Sequence, residues 1–120
     1  MTHITFYKSG GVFYGFEENG HTGYGESGDD VLCAALSSMT MLIINAIEIS
    51  YASNVDYTID EKTTNIRVIV PAALEAFEAD EKKRYAISGL LQAYFYQLND
   101  LIEEYYEFLT VDEKERPFEK

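Results

Sequence analysis

Apolar and polar residues alternate from Ile4 to Lys8 and again from Val12 to Glu17, with Ser9-Gly10-Gly11 between them. Alternation marks a strand that rests one face on a core, and a glycine pair closes a tight turn. The two stretches predict a β-hairpin in which Ile4 and Phe6 share a face. His21 follows just past the second strand. From Thr22 to Gly28 the sequence holds glycine and polar residues around a single tyrosine, Tyr24. With no periodicity, this stretch predicts a loop. The pattern then takes up a helical period. Leu32, Leu36, Met39, Ile43, Ala46 and Ile47 form a stripe, and Val31, Leu42, Ile44 and Ile49 widen it almost all the way round, to about Tyr51. Such a helix is expected to be buried on more than one side, against a sheet and either a second helix or a second subunit. Ser27-Gly28-Asp29-Asp30 reads as a capping box, with Ser27 accepting from an early N–H and Asp30 reaching back. Asp29 as the N-cap is the alternative.

Val55–Asp60 and Asn65–Val70 predict a second hairpin around Glu61-Lys62-Thr63-Thr64. Ile66, Val68 and Val70 share one face, and Pro71 ends the strand. Ala72 to Asp80 is either an irregular connection or a short helical turn. Asp80 then caps a long second helix reaching about Leu109, with Ile87, Leu91, Tyr94, Leu98, Leu101, Ile102 and Tyr105 as its buried stripe. Thr110-Val111 predicts a short terminal strand, and Asp112 to Lys120 is expected to fray. The order β-β-α-β-β-α predicts an α+β fold, a four-stranded antiparallel or mixed sheet with two long helices packed on one face. At 120 residues, one domain over residues 1–120 is expected.

Charge narrows the partners. Nine basic against 21 acidic side chains leave a net charge of −12, which argues against direct binding to nucleic acid and suits a basic partner. One cysteine excludes an internal disulfide. The opening MTHITFYKSGG has no basic run followed by a long apolar one, so no signal peptide is expected. Ser37, Ser38, Thr40, Asn45 and Glu48 interrupt the apolar helix, which reads as a core helix and not a membrane span. A cytoplasmic protein is expected.

The chemistry lies in the stretch from Gly20 to Ser37. Cys33 falls in the first or second turn of its helix, where unpaired N–H groups favour thiolate and could receive an oxyanion. Asp30, Cys33 and Ser37 are spaced i, i+3 and i+7, along one side of the helix. Cys33 is then a candidate nucleophile, Asp30 an orienting group and Ser37 a hydrogen-bonding one. The plainer reading makes Cys33 a small buried hydrophobe, Asp30 a cap and Ser37 a residue bonded back to its own helix. His21, twelve residues before Cys33, is the candidate base. The glycines do not make a phosphate cradle, and one cysteine with two histidines shows no metal-ligand spacing. No metal and no cofactor are expected.

Gly20-His21, a glycine-bearing loop, then Gly28-x-Asp30-x-x-Cys33-Ala34-Ala35-x-Ser37 resembles the signature of the ribosomal-processing cysteine proteases, the Prp family. Length and element order resemble that family too. The resemblance implies a cytoplasmic bacterial endopeptidase. It would remove a short N-terminal extension from a large-subunit ribosomal protein, the twenty-seventh in the usual naming. It implies Cys33 as nucleophile, His21 as base, Asp30 and Ser37 as supporting residues, and Gly20 and Gly28 shaping the loop. It also implies a homodimer and a mobile glycine loop that, ordered by substrate, brings His21 to Cys33. Thr22, where alanine often follows the Gly-His pair, and Val31-Leu32, in place of the more usual Ile-Val, depart from the pattern without removing a catalytic group. Two other readings stand beside this one. In the first, the chain is a non-catalytic acidic domain that binds a basic ribosomal or assembly partner. In the second, it is another small thiol hydrolase.

Overall fold

The computed structural model describes residues 1–20, 27–60, 62, 63 and 65–118, and of residues 27–30 the backbone. Five strands form one mixed sheet in the order β3-β4-β2-β1-β5. β1 (Thr2–Ser9) and β2 (Val12–Asn19) make the predicted hairpin. β3 (Asp56–Ile59) and β4 (Ile66–Ile69) make the second, and β4 joins it to β2. Between the hairpins runs α1 (Ser27–Asn45), continued by one π-helical turn, Ala46–Ser50. α2 (Glu81–Tyr105) follows the second hairpin. The α+β class is as expected, and the connection after Pro71 is a 3-10 turn, Pro71–Ala73.

The strand count and the C-terminus differ from expectation. A fifth strand, β5 (Leu109–Glu115), runs parallel to β1 from Thr2↔Leu109 to Lys8↔Glu115. α2 stops at Tyr105 because Leu109 already belongs to this strand. Residues 112–115 are therefore paired and not frayed. Lys8 donates to Glu113 at 2.7 Å, and Tyr14 donates its phenolic proton to the Arg116 carbonyl at 2.7 Å.

A bulge sorts the aromatic rings between the two faces of the sheet. Tyr7 pairs with Gly15 and Lys8 with Phe13, so Tyr14 is the extra residue of β2. Phe13 and Phe16 thereby both reach the helix side, where they meet Phe6, Tyr94 and Phe95 at centroid distances of 5.1–5.4 Å. Tyr14 returns to the open face and stacks on Tyr7, whose ring also carries the Arg116 guanidinium at 5.2 Å. Gly15 next to the bulge has no alternative: a Cβ there would lie 2.5 Å from the Val68 carbonyl oxygen.

Both helices pack on the same side. Ile4, Phe6 and Phe16 of the sheet, Leu32, Leu36, Ile43, Ile44 and Ile47 of α1 and its π turn, and Ile87, Leu91 and Leu98 of α2 form one buried cluster. By length and composition alone Val31–Ser50 could cross a membrane, yet these residues of it lie inside the protein core. Asp80 caps α2 as predicted, its carboxylate accepting from the Lys82 N–H at 2.9 Å.

Candidate active site

Counting from Ser27, Cys33 is the seventh residue of α1. It stands at the end of the second turn, about 9 Å from the helix start. The N–H groups without an intrahelical partner are those of residues 27–30, one turn earlier, and the Cα–Cβ bond of a helical residue tilts toward them. Because the helix is already formed at Ser27, neither Ser27 nor Asp29 is its N-cap as expected, and Gly28 belongs to the helix, not to a loop.

Cys33 lies at the border between the buried and exposed sides of α1. The thiol is buried at 9% exposure, Leu32 and Leu36 beside it are packed in the core, and Ser37 on the next turn is exposed. Helical spacing places Asp30, Cys33 and Ser37 within about 60° of arc. Of the two strip residues whose burial is described, Cys33 faces inward and Ser37 is exposed to solvent.

β2 leads to the residues expected to supply the base. It ends at Asn19, and Gly20 turns the chain with φ +84°. A Cβ on Gly20 would meet the Met1 carbonyl oxygen at 2.5 Å, so both backbone conformation and space require glycine there. His21, with the Thr22–Glu26 part of the expected loop and the orientation of the Asp30 side chain, lies outside the described residues.

One feature of the site region had no announcement in the sequence. Glu18, near the end of β2, is buried at 4% exposure beneath both helices. Its Oε1 accepts from Tyr94 of α2 at 2.6 Å and from Thr40 of α1 at 2.9 Å. The two hydroxyls lie 3.3 Å apart. Burial pushes the Glu18 carboxyl above its ordinary range, against the pull of the two donors. Burial also raises the Tyr94 phenol, and the Glu18 charge adds to it, so Tyr94 stays a donor. A glutamate at a strand end ordinarily reads as solvated, and Thr40 reads as an interruption of an apolar run. Only the crossing of three elements turns them into a cluster.

Two surface grooves among the described residues lie away from Cys33. One, about 500 Å³, runs between Ser53, Val55, Pro71 and Phe77. The other, about 380 Å³, is on the open sheet face between Tyr7, Tyr14, Arg67 and Arg116.

Comparison with known proteins bears on this arrangement. The family model described as cysteine protease Prp matches residues 1–110. No curated protein matches the chain. Among solved structures, SMU.848 from Streptococcus mutans is 28% identical, with a TM-score of 0.78 over 97% of this chain and 99% of its own. The ribosomal processing protease Prp of S. aureus is similar in two complexes. In complex with a substrate peptide it is 20% identical, with a TM-score of 0.77 over 95% of this chain and 100% of its own. With a covalently linked product peptide it is 21% identical, with a TM-score of 0.74 over the same shares. At these identities the S. aureus structures speak for the fold.

Proposed function

The chain belongs to the cysteine protease Prp family, and from that premise we propose that it is a cytoplasmic endopeptidase that removes the N-terminal extension of the twenty-seventh large-subunit ribosomal protein. The observation that carries the reading is the placement of Cys33. It is a buried residue at the border of a helix whose next turn bears the exposed Ser37, and it follows His21, the residue after Gly20 at the end of β2, by twelve positions.

In this reading His21 takes the proton of Cys33 and the thiolate attacks the scissile carbonyl. The carbonyl oxygen becomes an oxyanion that N–H groups of the first turn of α1 stabilise. His21 returns its proton to the leaving amine, and water hydrolyses the thioester, with His21 again as base. Asp30 orients His21, and Ser37 hydrogen-bonds the substrate or the site. A net charge of −12 draws in a basic ribosomal-protein segment.

A second copy of the chain completes the reading. Val31, Met41 and Leu42 of α1 and Ile49 of its π-helical turn are exposed, and no Asp, Glu, Lys or Arg occurs between Val31 and Ile47. Two chains of this charge repel almost everywhere else, so an uncharged apolar stripe is the surface through which they pair.

The test is incubation of the extended ribosomal protein with the native enzyme, Cys33→Ala and Cys33→Ser under reducing conditions. Loss of the extension with the native enzyme alone is expected. An intact substrate with the native enzyme overturns the function, and equal cleavage by Cys33→Ala overturns the mechanism.

A further inference from the structure

We propose that Glu18, Thr40 and Tyr94 are positioning residues for Cys33, holding α1 at one height and one angle on the end of β2. The inference deepens the protease reading and rests on it. Thr40 follows Cys33 by seven residues, two helical turns, so both lie on the same side of α1 about 10 Å apart along the axis. Glu18 precedes His21 by three residues. One carboxylate oxygen thus ties the helix that carries the nucleophile to the strand that leads to the base. Tyr94 bonds to the same oxygen from α2, so the second helix braces the first.

The chemistry of the surroundings argues that these bonds serve alignment. Around the cluster the contacts between α1, α2 and the sheet are apolar: Phe6, Phe16, Leu36, Ile43, Ile44 and Leu91. Apolar surfaces attract without direction, whereas a hydroxyl bonds an oxygen at one distance and one angle. A carboxylate with no cation partner among the described residues is also a costly way to fill a core that an apolar side chain of similar size would fill well. Three directional contacts from three elements define a fixed geometry at that cost. They act on the helix that carries Cys33, two turns from it, so a shift of α1 at this point moves the thiol with it.

The test compares Thr40→Val and Tyr94→Phe, which lose a donor, with Thr40→Ser and Glu18→Gln, which keep a hydroxyl or an acceptor in place. The readout is kcat and KM on the extended ribosomal protein, at a temperature where circular dichroism shows each variant folded. Thr40→Val and Tyr94→Phe are expected to lower kcat about 10- to 100-fold with KM within about twofold, since misplacement of reacting groups acts on the chemical step. Thr40→Ser and Glu18→Gln are expected to stay within about threefold of native kcat. The Thr40→Val/Tyr94→Phe double variant is expected to lose less than the product of the two single losses, as for residues in one network. Native kcat in folded Thr40→Val and Tyr94→Phe overturns the inference, even where their melting temperatures fall. Should the native enzyme leave the ribosomal protein intact, the protease reading fails by itself, and the rate of Cys33 alkylation by iodoacetamide decides the positioning. A rate that differs between Thr40→Val and Thr40→Ser then supports it, and equal rates overturn it.

Discussion

Glu18 meets no cation among the described residues; its partners are the hydroxyls of Thr40 and Tyr94. Burial holds its carboxyl above the ordinary value of 4.5, so the folded protein binds that proton more tightly than the unfolded chain does. The stability this group contributes is whole below the unfolded value and declines as pH rises through the raised one. Glutamine does not titrate and keeps the acceptor. Glu18→Gln is therefore expected to gain stability relative to the native protein as pH rises from about 4.5 to about 8. Urea unfolding at both pH values checks it; a gap that stays constant with pH contradicts the account. The same residue shows where reading one chain position at a time stops. Cys33 and Ser37 share a helix, and local spacing brings them together. Glu18, Thr40 and Tyr94 are 22 and 76 residues apart along the chain, and their meeting depends on how two helices cross one strand.

Elements with local signals were legible. α2 has a capping aspartate at its start and Ile87, Leu91, Tyr94 and Leu98 at helical spacing, and all four are buried. Asp80→Ala removes the acceptor for the Lys82 N–H and is expected to cost about 1 kcal/mol, read as a lower urea midpoint at unchanged slope. β5 showed only part of such a signal, the short strand expected at Thr110-Val111. Leu109-Thr110-Val111 is short, and Asp112-Glu113-Lys114-Glu115 reads as solvated chain. Its partner is β1, more than 100 residues earlier, and Lys8 supplies the charge that one of its acids needs. The charged residues also suit an edge strand, where they deter pairing with foreign chains. The bulge at Tyr14 was equally hidden, because strict alternation assigns Phe13 and Phe16 to opposite faces, whereas both reach the helix side.

At the scale of the whole molecule the apolar stripe of α1 stands out against the net charge of −12. Leu42→Glu places a carboxylate in the middle of that stripe on a residue already 63% exposed. On the proposed pairing through this stripe it is expected to leave the far-ultraviolet spectrum unchanged while halving the mass measured by light scattering; a native mass already that of one chain overturns the pairing, and a dimer mass unchanged by the substitution moves the interface elsewhere. The parallel partnership of β1 and β5 bears on how the molecule is made. Of the described strands β1 leaves the ribosome first and β5 last, so a growing chain carries a finished hairpin with one naked side until the residues from Leu109 onward emerge. During that interval another nascent chain could occupy the place of β5, and the molecule's own last strand must arrive in time to displace it.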